Sequence, residues 1–311
     1  MYGGLWENLK NAFKHSDNSL YKILAINLLV FFTVLVFRVF MSLAGAGTAY
    51  ATVINLLMMP ADIPQFLLQP WTIITYMFLH EGIFHILFNM LFLYWFGLLV
   101  HQYLGSRKLA NLYILGGIAG GLFYLVIYNI SPLFSEVLSS SKMLGASAGV
   151  YAIVVGAATL APNTTFHLLL LGPVKIKYIA IFYVVIAFAN SIGSNAGGEL
   201  AHLGGAALGF FYIWQLQKGN DWGRPVQAVG RFFENLFRNT PKVKVSYRKK
   251  TYSGPSEFTT SKTTKPTPTS GKPQPIATQD EIDQILDKIA DKGYEGLSKE
   301  EKRKLFEFSK K

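Results

Sequence analysis

Residues 82–128 read GIFHILFNMLFLYWFGLLVHQYLGSRKLANLYILGGIAGGLFYLVIY. This segment consists of two apolar stretches, 82–104 and 107–128, on either side of a short polar sequence at Gly105. A helix that crosses a bilayer needs about 20 mostly apolar residues. Each stretch is long enough, so the segment predicts a pair of membrane-spanning helices.

Four further stretches have the same apolar character. They run over 20–42, 147–161, 174–190 and 200–217. The whole chain of 311 residues is 51% hydrophobic and only 15% charged, which excludes a disordered chain, a collagen-like fibre and an ordinary soluble enzyme. The first stretch is too long for a signal peptide, and no small-residue cleavage site follows it. The sequence therefore predicts an all-α membrane protein with a six-transmembrane-helix bundle at 20–217.

The basic residues outside these stretches predict their orientation. They lie before the first stretch, between the second and third, at the start of the fifth and after the sixth: Lys10, Lys14, Lys22, Arg107, Lys108, Lys175, Lys177 and the C-terminal tail. Loops rich in Lys and Arg stay in the cytoplasm. We expect a multi-pass protein of the cell (inner) membrane with a cytoplasmic N-terminus at 1–19 and a cytoplasmic C-terminus.

The chain after the last stretch is polar and basic. Residues 218–311 carry 20 Lys and Arg against 12 Asp and Glu, most of the net charge of +11. Because this excess lies beside a predicted span end, we expect contact with anionic lipid and not with nucleic acid. Residues 218–277 are predicted to be a juxtamembrane segment, with an amphipathic part at 226–237, and a flexible linker. Residues 278–311 are predicted to form a small soluble helical hairpin. Two capping-box spacings mark its helix starts: Thr278 with Glu281, and Ser298 with Glu301.

Two regions on the predicted outer side are unusual. The loop 43–81 is apolar and is broken by Pro60, Pro64 and Pro70, which is typical of short interfacial helices. The stretch beginning at Ser147 would be roughly 22 Å long as a helix, shorter than a hydrocarbon core of about 30 Å. Irregular backbone at membrane depth occurs where protein or a water-filled cavity covers it. The sequence thus predicts a cavity at Ser147.

Four polar side chains are predicted to lie at matching depth in the bilayer. His85 and Asn89 share one helix face at i, i+4 spacing, while Ser147 and His202 start their own spans on the same side. Ionisable residues within spans mark functional sites. The alternative is that they act as polar contacts between helices.

A metal site is not expected here. His80 and His85 resemble the two histidines of a zincin motif, but they are five residues apart and not four. Five residues on a helix place the two side chains on different faces. The chain also has no Cys, and no acidic residue lies within a span except Glu199 near an end. We therefore expect neither a metal nor a cofactor.

Nucleophilic chemistry agrees with the remaining residues. Ser147 lies among small residues at a predicted helix start, where free N–H groups can stabilise an anion. A serine needs a base within hydrogen-bond reach, and His202 is the natural one. The small residues Gly205 and Gly209 would let the two spans approach closely. Because Glu199 lies near a span end, a Ser–His dyad is favoured over a triad.

These residues resemble the motifs of the rhomboid intramembrane serine proteases. The resemblance covers residues 20–217 and rests on three motifs in the family's order: Gly145-Ala146-Ser147 followed by Tyr151; Ala201-His202 with Gly205 and Gly209; and His85 with Asn89, preceded by His80 and Trp71. The sequence departs from the family pattern at Ala148, where Gly is usual, and at Thr72, where Arg is usual. The C-terminal hairpin looks like a domain appended to some bacterial rhomboids.

The resemblance implies roles for these residues. Ser147 would be the nucleophile and His202 the base, with Tyr151 stacked on His202. The oxyanion hole would consist of His85, Asn89 and the backbone N–H of Ser147. Such an enzyme would hydrolyse a peptide bond in or near the outer end of single-pass transmembrane proteins.

Two other classes remain as alternatives. A catalytically inactive rhomboid-like protein would bind client transmembrane segments, but such relatives typically lose the Ser or the His, and this chain has both. A small-molecule transporter is disfavoured because the sequence has no inverted repeat and no pair of broken spans.

Overall fold

The computed structural model of the chain describes residues 4–14, 18–168, 172–228, 279–292 and 297–308. The chain divides into two compact units, Met1–Pro241 and Lys242–Lys311. The predicted flexible linker and most of the predicted amphipathic segment lie outside the described residues.

The first unit is mostly helical. Its helices are α1 (Leu5–Lys10), α2 (Ser19–Leu43), α3 (Gly47–Asn55), α4 (Ile63–Leu68), α5 (Thr72–Thr75), α6 (Ile83–Ile130), α7 (Ser147–Leu160), α8 (Ile176–Asn190) and α9 (Ala196–Gln217), with 3₁₀ turns at Tyr76–Phe78 and Pro132–Phe134. Each apolar stretch predicted as a span is helical apart from at most two residues at one end. Among the described residues, α2 and α6 are long and apolar enough to cross a membrane, while α7 and α8 are apolar but shorter. The six-span bundle stays a prediction.

Helix α6 contains both stretches of the opening segment and is interrupted at Gly105. This residue has φ 77° and ψ 172°, a conformation that glycine adopts without a steric penalty. A β-carbon placed on Gly97 would lie 3.5 Å from a methyl carbon of Leu109. Twelve residues of continuous helix would separate these positions by about 18 Å. The chain therefore reverses at Gly105, and the two halves of α6 pack side by side as the predicted pair.

Glycines bring α6, α7 and α9 into close contact around the site. A β-carbon on Gly120 would lie 2.5 Å from the β-carbon of Ala148 and 2.5 Å from the carbonyl oxygen of Ala201. One on Gly209 would lie 2.4 Å from the carbonyl oxygen of Ala152. Small residues let helix backbones approach closely, which is how helices associate where no hydrophobic effect drives them. The predicted close approach of α7 and α9 is confirmed.

The apolar loop after α2 folds into short helices, as its prolines predicted. Trp71 Nε1 donates a hydrogen bond to the carbonyl of Leu56 at 2.8 Å, and Thr75 Oγ1 donates to that of Leu57 at 2.7 Å. Thr72, at the position where the family pattern has Arg, is fully buried and donates to the carbonyl of Gln69 at 2.6 Å. Hydrogen bonds to backbone carbonyls thus anchor this loop.

Two short strand pairs correct the prediction of an all-α fold. Strand β1 (Met59–Pro60) pairs antiparallel with β2 (Lys142–Met143), which ties the apolar loop to the segment leading into Ser147. Strands β3 (Thr165–Leu168) and β4 (Gly172–Lys175) form an antiparallel hairpin between α7 and α8. Strands of two to four residues leave too short an alternating pattern to be recognised in sequence.

The second unit contains a pair of helices, α10 (Gln279–Lys292) and α11 (Lys299–Phe308). Its small core buries Ile282, Ile285 and Leu297. The capping box at the start of α11 is confirmed: the Ser298 N–H donates to Glu301 Oε2 at 2.7 Å, and the Glu301 N–H donates to Ser298 Oγ at 3.3 Å. Thr278, the other predicted cap, lies outside the described residues.

Candidate active site

Ser147 is the first residue of α7, at the predicted start of a span. The turn before it depends on Gly145, which has φ +136° and donates its N–H to the carbonyl of Tyr76 at 2.9 Å. A β-carbon on Gly145 would meet the ring of His85 at 3.2 Å and Ser147 Oγ at 3.4 Å. Glycine is therefore required here by both its backbone conformation and the space available. The turn brings the serine hydroxyl and the His85 imidazole together.

His202 lies on the face of α9 that packs against α7. Its Nε2 is 2.7 Å from Ser147 Oγ, a hydrogen-bond distance between residues 55 positions apart in the sequence. The ring stacks flat on Tyr151, with centroids 4.2 Å apart and planes 8° from parallel, as the resemblance implied. Gly205, one turn further along α9, packs directly on the backbone of Ala148. This packing sets the separation between the two helices that carry Ser147 and His202.

Glu199 also contacts His202, although its position near a predicted span end favours a Ser–His dyad. Its Oε2 is 3.0 Å from His202 Nδ1, and both side chains are mostly buried. The signal was present in the sequence, because residues three apart lie on one face of a helix.

The hydrogen bond with Glu199 determines which nitrogen of His202 carries the proton. An ionised carboxylate accepts hydrogen bonds and cannot donate them. Opposite an ionised Glu199 the ring N–H lies on Nδ1, and in the neutral imidazole this leaves Nε2 as an acceptor. The Ser147 hydroxyl accordingly donates to Nε2 of His202.

A cavity of about 400 Å³ is present at Ser147, as the short length of α7 predicted. Its polar lining includes His85, Asn89 and His202. Asn89 Nδ2 donates to the carbonyl of His85 at 2.9 Å, so one amide N–H is engaged within α6. An Asn amide has two such N–H groups. The second can serve a ligand in the cavity.

His80 lies behind His85 and not on the helix that carries it. The two rings meet edge to face, with centroids 5.1 Å apart and planes at 69°, and His80 is buried. This contact restricts how the His85 ring can turn. Across the ranges that the structure describes, no group of three or more His, Cys, Asp or Glu residues is arranged to hold a metal ion.

The helices and the Ser–His contact define a class: a helical protein with helices apolar enough to cross a membrane and with a serine and a histidine in contact at the start of an apolar helix. Comparison with known proteins identifies the family. Residues 67–219 match the Rhomboid domain model, so this part of the chain is a domain of the rhomboid family. Proteins of this family are membrane proteins and are generally serine proteases. Residues 275–311 match a separate family of unknown function (DUF6576).

Several curated relatives are similar to this chain over the same region. RHOMBOID-like protein 12, mitochondrial, of Arabidopsis thaliana is 35% identical over 158 residues, which is 48% of this chain and 47% of the relative. Rhomboid protein 1, mitochondrial, of Saccharomyces cerevisiae is 30% identical over 167 residues, 50% of this chain and 45% of the relative. The chain thus spans about half the length of these relatives. Inactive RHOMBOID-like protein 8 of Arabidopsis thaliana is 33% identical over 76 residues, 24% of this chain and 22% of the relative.

These relatives are eukaryotic, and two are named mitochondrial. The C-terminal hairpin resembles a domain appended to some bacterial rhomboids. A relationship of this chain to bacterial rhomboids therefore stays a prediction. So does the cell (inner) membrane as its location.

Proposed function

We propose that this protein is an intramembrane serine endopeptidase in which Ser147 is the nucleophile and His202 the general base. The observation that carries the proposal is the 2.7 Å contact between Ser147 Oγ and His202 Nε2 at the edge of a polar cavity. A serine hydroxyl is a weak nucleophile, and a base within hydrogen-bond distance removes that limitation.

The first half of the reaction forms an acyl-enzyme. Ser147 Oγ attacks the carbonyl carbon of the scissile peptide bond as its proton passes to His202 Nε2. The tetrahedral intermediate then collapses, the C–N bond breaks, and the proton on Nε2 is transferred to the leaving amine. An ester now joins the substrate's acyl group to Ser147.

In the second half a water molecule replaces the amine. It attacks the ester carbonyl and gives its proton to His202 Nε2, which then returns it to Ser147 Oγ as the C–O bond breaks. A new carboxyl terminus leaves, and the enzyme is restored. The cavity at Ser147 provides the place for this water.

Oxyanion stabilisation is assigned to three donors. They are the His85 ring, the free N–H of Asn89 and the Ser147 N–H at the start of α7. The first N–H groups of a helix have no intrahelical partner, and the helix dipole favours negative charge there. Ala148 follows the serine within α7, so its side chain adds bulk on the helix and removes no donor.

The proposed substrates are single-pass membrane proteins, cut in or near the outer ends of their spans. Peptide bonds inside a helix are shielded from attack, so a substrate helix that unwinds easily at Gly or Pro would reach Ser147 best. The proposed topology is six spans with both termini in the cytoplasm. The basic segment 218–277 would contact anionic lipid there.

Labelling with a fluorophosphonate probe tests the proposal directly. The probe reacts with an activated serine, so the wild-type protein in detergent should be labelled at Ser147, and Ser147→Ala should not. Cleavage of a model transmembrane substrate should be lost in the same variant, with the melting temperature unchanged. Cleavage by Ser147→Ala at the wild-type rate would exclude Ser147 as the nucleophile.

The alternative is an inactive rhomboid-like protein that binds client spans. It is supported by the match to a relative named inactive. The same assay separates the two functions, because a binding protein has no need of an activated serine. A wild-type protein that binds a model span but is never labelled would favour the alternative.

A further inference from the structure

We infer that Glu199 is a positioning residue for His202, so that the site works as a Ser147–His202–Glu199 relay and not as a dyad. The inference rests on the proposed function and adds a third residue to it. Three observations support it: the contacts on both ring nitrogens, the restricted ring, and the location of Glu199 on α9.

The two ring nitrogens of His202 are engaged by different partners. Nδ1 lies 3.0 Å from Glu199 Oε2, and Nε2 lies 2.7 Å from Ser147 Oγ. If the ring rotated by 180° about its bond to the β-carbon, carbon atoms would replace both nitrogens and both hydrogen bonds would be lost. The carboxylate therefore selects the orientation in which Nε2 faces the nucleophile.

The ring plane is held independently of the ring nitrogens. Tyr151 stacks flat on His202 at 4.2 Å, which restricts tilting. Stacking alone does not distinguish the two flipped orientations, since the two faces of the imidazole ring stack equally well on Tyr151. The hydrogen bond from Nδ1 to Glu199 is what distinguishes them.

The location of Glu199 on α9 suits a carboxylate that faces an imidazolium. Glu199 lies in the first turn of α9, a 22-residue helix, and the N-terminal end of a helix dipole stabilises negative charge. Its side chain is 15% exposed and that of His202 is 13% exposed. When Nε2 takes the serine proton, the imidazolium has its counter-charge 3.0 Å away and little competing solvent. The proton stays on Nδ1 throughout, and none is transferred to Glu199.

The test compares Glu199→Gln with the wild type in two measurements. The first is the rate of fluorophosphonate labelling of Ser147, together with kcat and KM on a model transmembrane substrate. Amide replacement of the acid in a Ser–His–Asp triad costs up to about 10⁴-fold in kcat. Because Glu199 is partly exposed, we expect a decrease of about 10- to 100-fold, in kcat and not in KM.

The second measurement is the tautomer of His202, from ¹⁵N shifts of the ring in histidine-labelled protein. The ring signals of His202 are assigned as those that are missing from the spectrum of His202→Asn. The wild type should carry its proton on Nδ1, and Glu199→Gln should show a mixture of tautomers. Glu199→Asp keeps the charge but shortens the side chain, so it should restore part of the rate.

The control is Glu136→Gln, which removes one acidic charge from an exposed position in the loop after α6. It should leave both measurements unchanged. If Glu199→Gln does not fold, Glu199→Asp is compared with wild type in its place, and its slower labelling and mixed tautomer are the expected result.

Each outcome decides between the two claims. If wild-type Ser147 is labelled and Glu199→Gln reacts at the same rate, or keeps the Nδ1 tautomer, the relay is wrong and the proposed protease stands. If wild-type Ser147 is never labelled, the proposed function fails and the relay fails with it.

Discussion

Gly205 of α9 lies directly against the backbone of Ala148 in α7. A β-carbon on Gly205 would be 2.1 Å from the carbonyl oxygen of Ala148, closer than two such atoms can approach. Ala148 immediately follows Ser147, and Gly205 is three residues after His202. The same contact that packs the two helices therefore also sets the distance between the proposed nucleophile and base.

Replacing Gly205 by Ala should separate these two groups. Overpacking of a tight contact costs about 1–3 kcal/mol. A displacement of 1 Å in a catalytic group can lower the rate by about 10²-fold. We therefore expect a lower melting temperature and a large decrease in the labelling of Ser147 by a fluorophosphonate.

Ala207→Leu is the matched control for Gly205→Ala, because it adds more bulk at an exposed position of the same helix. Both measurements should stay at the wild-type values in this control. Normal labelling of Gly205→Ala would show that α9 can shift without disturbing the proposed pair.

The proposed base and oxyanion donors should differ in how severely their loss affects catalysis. His202→Ala should be as inactive as Ser147→Ala, because the serine then has no base. His85→Ala and Asn89→Ala should each lower kcat by about 10²–10³-fold, the usual cost of one oxyanion donor. Cleavage of a model transmembrane substrate measures all of these effects.

His167→Ala provides the comparison for these variants, since His167 is an exposed histidine on β3. It should cleave normally. If His85→Ala behaved in the same way, the polar residues of α6 would be structural contacts and not oxyanion donors.

Residues beyond the end of α9 are expected to stabilise the first unit. Asp221 accepts a hydrogen bond from Lys108, and also from the Gly223 N–H at 2.9 Å. Burial acts to raise the pKa of Asp221, but the bonds from Lys108 and Gly223 outweigh it and lower that pKa below its usual value. Hydrogen bonds to a charged group contribute about 1.5–3 kcal/mol. A chain ending at Gln217 should therefore melt at a lower temperature than one ending at Ala228.

Both shortened chains should still be labelled by the fluorophosphonate below their melting temperatures, because neither lacks a residue of the proposed site. Asp221→Asn in the full chain should reproduce much of the loss of stability. Equal melting temperatures for the two shortened chains would show that the Asp221 contacts contribute little. A folded chain ending at Ala228 that is labelled but cannot cleave would indicate a role for the tail in substrate delivery.

The C-terminal hairpin should lose stability in acid through Glu301. Its hydrogen bonds, first with Lys288 and then with Ser298, lower its pKa from 4.5 to about 2. A lowered pKa means that the ionised group stabilises the folded hairpin above pH 4.5. That contribution is lost as the pH falls from about 4.5 through about 2.

Thermal unfolding of a peptide covering 275–311, followed by circular dichroism, measures this effect. Glu301→Gln should be less stable than the wild type at pH 7, and the difference should vanish near pH 2. Glu300→Gln removes the same charge one residue away and should retain the wild-type pH dependence. A constant difference between wild type and Glu301→Gln at all pH values would contradict the assignment.

The proposed topology can be tested because the chain has no cysteine. Single cysteines introduced by Ser139→Cys and Lys299→Cys lie at exposed positions in the loop after α6 and in the hairpin. A membrane-impermeant maleimide added to intact cells should label Ser139→Cys but not Lys299→Cys. Permeabilised cells should show labelling of both. Labelling of Lys299→Cys in intact cells would place the C-terminus outside.

Local sequence patterns were sufficient to predict the helices and most residues of the candidate site. Each predicted apolar stretch is helical apart from at most two end residues, and Ser147 begins α7 as expected. Hydropathy, helix periodicity and capping are properties of neighbouring residues, so they can be read from consecutive positions. The motifs containing Ser147, His202, His85 and Asn89 could be identified for the same reason.

How these residues meet depends on tertiary packing, which local patterns do not predict. The contact of Ser147 with His202, the stacking of Tyr151 and the two strand pairs depend on how closely separate helices and loops approach. That approach is set by packing at glycines such as Gly120 and Gly205, which no local pattern specifies. The contact of Glu199 with His202 lies between these cases. Its i, i+3 spacing is local and could be read from the sequence. Its proposed role follows only from the packing that brings the other ring nitrogen of His202 to Ser147.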